Sequence, residues 1–125
     1  MRIDILTLFP QMFQSPFNVG IFKRAIEHNL VSINAHNIRD YTHDAHHTVD
    51  DYAYGGGAGM ILKPEPIFEA VEAIILAVYP KEAGNSKPDA LPIILLTPQG
   101  RLFTQEIAYE LSGYKHLILI CGRYE

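Results

Sequence analysis

Two apolar segments separated by an amphipathic one constrain the fold of this chain more than any other feature. Residues 92–97 (PIILLT) and 116–121 (HLILIC) have the pattern of strands that are apolar on both faces. Between them, Thr104 is a suitable N-cap for a helix that starts at Gln105, and Gly113 is suited to end it. Strands that are apolar on both faces are typical of a parallel sheet covered by helices on both sides.

The earlier part of the chain continues this alternation. The pattern predicts a strand over residues 1–9, a short amphipathic helix over 20–29, a strand over 31–38 and a longer helix over 63–79. The first helix places three residues at roughly helical spacing, Ile21, Ala25 and His28. The longer helix has an apolar stripe of five residues, Ile67, Val71, Ile74, Ile75 and Val78. We therefore predict an α/β fold with a mostly parallel sheet flanked by helices.

Composition excludes several classes of protein. A length of 125 residues with 48% hydrophobic residues is enough for one domain with a core. No apolar run approaches the roughly 20 residues of a membrane span, and residues 1–5 do not resemble a signal peptide. The net charge of −4 argues against a self-sufficient nucleic-acid binder. We expect a cytoplasmic protein without a membrane partner, and we expect Cys121 to be a buried, reduced thiol.

The stretch Tyr54-Gly55-Gly56-Gly57-Ala58-Gly59-Met60 stands out within a polar segment, residues 39–59, that shows neither helical nor strand periodicity. Ordering so many glycines is costly in backbone entropy. Such a loop is expected where backbone approaches something closely or where the loop moves. It matches neither a Walker A motif nor a dinucleotide-binding fingerprint.

Two further turns follow the apolar strands directly, at residues 97–100 (TPQG) and 122–125 (GRYE). If these strands are parallel neighbours, both turns lie at the carboxyl edge of the sheet, where ligands of open α/β sheets bind. The spacing therefore predicts one shared crevice. Residues 81–90, which are polar and rich in Gly, Asn, Ser and Pro, are expected to form an exposed loop.

A histidine-rich segment offers a different chemistry. The four side chains of His43, Asp44, His46 and His47 are spaced as in some metal-dependent hydrolases. No predicted strand or helix frames them, and no second ligand cluster is evident in the sequence. A solvated polar loop is the simpler interpretation.

Taken together, these segments resemble one family, the bacterial tRNA (guanine-N1-)-methyltransferases of the SPOUT class. The resemblance rests on residues 5–13 (ILTLFPQMF), 23–25 (KRA), 37–42 (NIRDYT), 46–51 (HHTVDD), the glycine stretch, 97–101 (TPQGR) and 120–125 (ICGRYE). The segments occur in the family's order and cover nearly the whole chain. Ala58 stands where the family usually has proline.

The resemblance implies a fold, a reaction and partners. The fold is an α/β domain with a deep trefoil knot, an exception to the rule that chains are un-knotted. The reaction is S-adenosylmethionine-dependent methylation of N1 of the guanine 3′ of the tRNA anticodon, assisted by Mg²⁺. The enzymes of the family are homodimers.

The resemblance also implies site residues. The cofactor-binding positions it implies are Leu96, Thr97, Pro98, Gln99, Gly100, Gly122, Tyr124 and Glu125. The positions it implies near the methyl donor or the substrate are Tyr54, Gly55, Gly56, Gly57, Gly59 and Arg123. Arg39 is a candidate phosphate or structural contact. The family's general base is an aspartate farther downstream, so no catalytic residue is expected within residues 1–125, and no metal ligand is assigned.

In the family, the pattern continues with the rest of the knot and a helical tRNA-binding domain. Residues 1–125 are accordingly expected to be a partial SPOUT domain with an incomplete knot, inactive alone. Three alternatives stay open: a non-catalytic α/β nucleotide-binding module, a metal-dependent hydrolase built on the His43 segment, and a dimerising structural remnant.

Overall fold

A computed structural model describes residues 1–80 and 90–123. The predicted loop over residues 81–90 therefore falls, except for Ala90, outside the described residues, and so do Tyr124 and Glu125. The strands are β1 (Arg2–Thr7), β2 (Ser32–Asn37), β3 (Asp50–Tyr52), β4 (Met60–Leu62), β5 (Ile93–Leu95) and β6 (His116–Cys121). The helices are α1 (Gln14–Phe17), α2 (Gly20–Glu27), α3 (Pro64–Val78) and α4 (Gln105–Ser112), with 3-10 turns at Pro10–Phe13 and Ile38–Tyr41.

Four of the strands form one parallel sheet in the order β2-β1-β6-β5. The central pair joins β1 to β6 over its full length, from Arg2 beside His116 to Thr7 beside Cys121. Strand β2 pairs with the other side of β1, and β5 pairs with the other side of β6. This architecture confirms the predicted α/β fold with a mostly parallel sheet.

Helix α3 covers one face of the sheet and forms the main core with it. Leu6 of β1 and Ile118 of β6 are fully buried there against Ala70 and Ile74 of α3. Ile67, Ile75 and Val78 are partly buried against the same cluster, and Val71 lies within it, so the predicted apolar stripe is confirmed. Within the described ranges, no helix has both the length and the apolar character needed to cross a bilayer.

The opposite face is covered less completely. Ile3, Leu117 and Leu119 face a cavity of about 510 Å³ whose other side includes Ala108 and Leu111 of α4. Helix α4 accordingly contains no fully buried residue.

Two burial predictions are wrong. Strand β5 was expected to be covered on both faces, but it is the edge strand, and its Leu95 is 55% exposed. In α2, Ile21 is exposed, while Ala25 and Ile26 are half-buried. Ile26 lines a cavity together with Ile33 of β2, and this packing sets which side of α2 faces the sheet.

Two further predictions need correction. Cys121 is half-buried rather than buried, because it ends β6 at the rim of the sheet. Residues 39–59 are not without secondary structure, since β3 pairs antiparallel with β4, with Asp50 opposite Leu62. Three-residue strands are too short to show a period, and backbone pairing rather than side-chain burial defines them.

The core formed with α3 predicts a sharp contrast between two leucines. Leu6→Ala should lower the free energy of unfolding by about 2–5 kcal/mol, because it removes a fully buried side chain and leaves a cavity. Leu102→Ala is the matched control, since Leu102 is 82% exposed. Urea denaturation of both variants measures the difference, and equal losses would contradict this assignment of the core.

Candidate functional site

The structure brings the ends of β5 and β6 together. The two strands are parallel neighbours, with Leu95 beside Ile120, and the backbone N–H of Leu96 donates to the Ile120 carbonyl at 3.0 Å. The turn at residues 97–100 and the segment beginning at Gly122 therefore leave adjacent strands at the same, carboxyl edge. In parallel α/β sheets this edge is where crevices for ligands form.

The turn at residues 97–100 is held by its own hydrogen bonds. The Gly100 N–H donates to the Thr97 carbonyl at 3.1 Å, and the Gln99 N–H donates to Thr97 Oγ1 at 3.3 Å. A Cβ atom on Gly100 would lie 3.2 Å from the Thr97 carbonyl oxygen, so a side chain there would press on the turn.

A cavity of about 420 Å³ opens beside this turn. Its lining combines Leu96, Thr97 and Gly100 with Phe103 and Ile107, which the sequence analysis did not assign to the site. Arg101 and Glu110 also line it, so the cavity is of mixed polarity. A cavity of this size with apolar side chains and a few polar groups is typical of small-molecule sites. An apolar residue shortly after the polar turn, Phe103, is the sequence signal that could have identified the second wall.

Gly122 and Arg123 line a different cavity, of about 460 Å³, between the ends of β1 and β6. The guanidinium carbon of Arg123 lies 5.6 Å from the centroid of the Phe9 ring, within the range of a cation–π contact. Phe13 and Phe17 complete an aromatic wall that the sequence analysis did not single out. Residues 97–100 thus lie on the β5 side of the β6 end, and Gly122 lies on its β1 side. The prediction of one shared crevice is therefore wrong: the two turns share an edge of the sheet and border separate cavities.

The glycine stretch forms the tip of the β3–β4 hairpin. Gly55, Gly56, Gly57 and Gly59 all have positive φ angles, from 80° to 116°. A Cβ atom at any of them would meet nothing within 4 Å. Glycine is therefore required here by backbone conformation and not by close packing within the described chain.

A third cavity, of about 560 Å³, lies beside this tip. It is lined by Tyr54, Tyr41, Ile61 and Lys63, among others, and by neither of the two turns. Tyr54 itself is 96% exposed. The cavity that Tyr54 borders is thus separate from the two cavities beside the strand-end turns.

The histidine-rich segment does not form a joint site. His43 Nε2 lies 2.7 Å from Glu69 of α3, and His47 Nδ1 lies 3.0 Å from the Thr42 hydroxyl. Asp44 accepts the Thr48 hydroxyl hydrogen at 2.7 Å and backbone N–H groups of its own loop. These bonds, led by that from the Thr48 side chain, lower the pKa of Asp44.

The metal-dependent hydrolase is therefore not supported. In the parts of the chain that the structure describes, no three His, Cys, Asp or Glu side chains are grouped to hold a metal ion.

Arg39, a candidate phosphate contact, donates from Nη1 to the His47 carbonyl at 3.1 Å. Its observed contact is thus within the loop.

Comparisons with known proteins identify one family. The family model described as tRNA (Guanine-1)-methyltransferase TrmD matches residues 1–125. A tRNA (guanine-N(1)-)-methyltransferase of Dehalococcoides mccartyi is 58% identical over 125 residues, which is 100% of this chain and 47% of the relative. That of Dictyoglomus turgidum is 54% identical over the same length and is covered to 46%.

A solved structure is similar over the whole chain. The crystal structure of tRNA (m1G37) methyltransferase from Aquifex aeolicus aligns with a TM-score of 0.78 and 34% sequence identity, covering 100% of this chain and 52% of that one. The chain thus spans about half the length of the curated relatives it matches.

The hairpin tip yields a test of why its glycines are needed. Gly57→Ala should lower the free energy of unfolding by about 1–2 kcal/mol, because φ at Gly57 is 116° and an L-residue is strained there. Gly113→Ala is the matched control, since Gly113 has a right-handed helical conformation with φ of −73°. Urea denaturation compares them. A Gly57 variant as stable as the Gly113 variant would refute the conformational explanation.

Proposed function

This chain belongs to the tRNA (guanine-1)-methyltransferase family, and on that premise we propose that it supplies the cofactor-binding part of an enzyme that methylates N1 of a guanine in tRNA. The target we propose is the guanine 3′ of the anticodon. The observation that carries the proposal is the parallel pairing of β5 with β6, which sets two turns of the family pattern at one edge.

The turn at residues 97–100 and the segment from Gly122 would bind the adenosyl part of S-adenosylmethionine. The cavity beside Leu96 and Thr97 has a suitable size and an apolar wall for an adenine ring. Pro98, Gln99 and Gly100 would present backbone groups to it, and Tyr124 and Glu125 would complete the second loop. S-adenosylmethionine supplies, when bound, a methyl group that is already activated on a sulfonium.

The chain's own contribution to the reaction is then positional. Holding two reactants in line is worth several kcal/mol of the barrier. We infer that the hairpin tip, with Tyr54 and its glycines, lies beside the methyl donor or the target base in the active enzyme. The open space around these glycines supports this, because a ligand or RNA can approach the backbone there. The general base is proposed to lie outside residues 1–125.

The partners follow from the same premise. The net charge of −4 supports the proposal that most contacts to tRNA phosphates are made by parts of the enzyme outside residues 1–125. Exposed apolar side chains such as Leu95 and Leu102 support a homodimer in which a second copy covers part of this apolar surface. Four further parts of the proposal rest on the family resemblance alone. They are assistance by Mg²⁺, the complete trefoil knot, the helical tRNA-binding domain and a cytoplasmic location.

A chimera tests the activity. Residues 1–125 joined to the remaining part of the Dehalococcoides mccartyi relative should transfer a methyl group from S-adenosylmethionine to tRNA with guanine 3′ of the anticodon. Transfer to the matched tRNA with adenine there should be at least about 100-fold slower, because the acceptor pattern differs at N1. The 125-residue polypeptide alone should show no turnover. An inactive but folded chimera, or robust turnover by the 125 residues, would refute the respective part of the proposal.

A substitution at the second strand end tests the cofactor site. Gly122→Val in the same chimera should weaken S-adenosylmethionine binding by at least about tenfold, since a branched side chain would occupy space that the cofactor's approach to the backbone requires. Gly113→Ala, at the end of α4, is the control and should bind normally. Isothermal titration calorimetry measures both affinities, with circular dichroism to verify folding. Unchanged affinity in a folded Gly122 variant would place the site elsewhere.

A further inference from the structure

The central strand β1 contains a fully buried carboxylate. Asp4 lies on the face of the sheet that packs against α3, and each of its oxygens accepts two hydrogen bonds. Arg2 donates to both oxygens at 2.6 and 2.9 Å, His36 Nε2 lies 2.7 Å from Oδ1, and His116 Nε2 lies 2.7 Å from Oδ2. An acidic residue within an apolar strand was the sequence signal for this cluster.

The cluster connects four elements of the fold. Asp4 and Arg2 belong to β1, His36 to β2 and His116 to β6, so the carboxylate joins three adjacent strands. His116, which is 2% exposed, continues the chain of bonds, because its Nδ1 lies 3.0 Å from the hydroxyl of Tyr79 at the end of α3. Asp4 and His116 lie in the amino-terminal halves of their strands, away from the proposed cofactor edge.

The hydrogen bonds indicate which imidazole nitrogen of each histidine carries a proton. Both histidines must donate from Nε2, since a carboxylate only accepts. In the Nε2–H tautomer, Nδ1 of His116 is an acceptor, and the Tyr79 hydroxyl donates to it. Burial raises the pKa of Tyr79, so this hydroxyl keeps its proton.

The titratable groups around Asp4 come from every element packed on it: Arg2, His36, His116, Tyr79 and Tyr41. Burial by itself raises the pKa of Asp4, but the hydrogen bonds from His36, Arg2 and His116 outweigh it and hold the pKa well below its usual value. The hydrogen bond to Asp4 in turn raises the pKa of Arg2. Burial raises the pKa of Tyr41, so this group stays neutral beside the carboxylate.

We propose that the Asp4 cluster is an acid-sensitive lock, in which one ionised carboxylate ties β2, β1, β6 and the end of α3 together. Protonated Asp4 would place a donor among groups that all donate to it, and the tie between the strands would be lost. The lock does not depend on the proposed enzymatic function.

The direction of its pH dependence follows from linkage. Because the pKa of Asp4 is lower in the folded state than in the unfolded chain, the stabilisation is complete above about pH 4 and declines as the pH falls further. Two variants of the 125-residue chain test this by urea denaturation. At about pH 7, Asp4→Asn should lower the urea midpoint by about 1 M or more, and the gap to the unsubstituted chain should narrow between about pH 4 and pH 2. Glu72→Gln, an exposed carboxylate of α3, should show neither effect.

A second pair of variants keeps the lock testable if Asp4→Asn does not fold. Tyr79→Phe should lower the urea midpoint measurably, whereas Tyr109→Phe, at an exposed tyrosine, should not. Nitrogen-15 NMR of the imidazole rings should report the Nε2–H tautomer for His116 in the unsubstituted chain. An Nδ1–H tautomer, or the same pH profile with and without the Asp4 carboxylate, would overturn the lock.

Discussion

The parallel pairing of β1 with β6 is the interaction on which the rest of the structure depends. It joins the first of the described strands to the last of them, in register from Arg2 beside His116 to Thr7 beside Cys121. The two strands are more than 100 residues apart in the chain, and bringing them together costs loop-closure entropy. Because no contacts between sequence neighbours offset this cost, buried side chains on the faces of the sheet must stabilise the pair. Leu6 and Ile118 do so on the α3 face. Once the pair exists, the β2 and β5 positions follow at its two open sides.

The sequence predicted the sheet and its helices well because these elements carry long side-chain patterns. Helix α3 has 15 residues and strand β6 has six, which is long enough for a side-chain pattern to show. The β3–β4 hairpin escaped prediction, since backbone pairing of three residues leaves no such pattern. The partial exposure of β5 and Cys121 was also not predicted, because strand pairing, and not the composition of a strand, decides its position in the sheet.

The sequence predicted that the two turns lie at one edge of the sheet, but it did not predict that they border separate cavities. The turn at residues 97–100 and Gly122 were found because each follows an apolar strand directly. The walls of their cavities were not predicted, since Ile107 of α4 and Phe13 reach them from elements that the fold brings close. The glycine stretch shows a further limit of sequence reasoning. A run of glycines does not reveal whether conformation or space selects it, and here positive φ angles do.

The polar groups at the two ends of the sheet differ in whether the fold already pairs them. At the carboxyl ends of β5 and β6, backbone groups and turns border open cavities, so polar groups there are available to a ligand. Toward the amino ends, Asp4 and its partners satisfy one another within the fold. A buried charge that is fully paired within the chain offers nothing to a ligand, and its value lies in the strand arrangement it selects. Since β1 and β6 run continuously from one end to the other, fixing their register at Asp4 also fixes where Thr7, Cys121 and Gly122 emerge at the opposite edge.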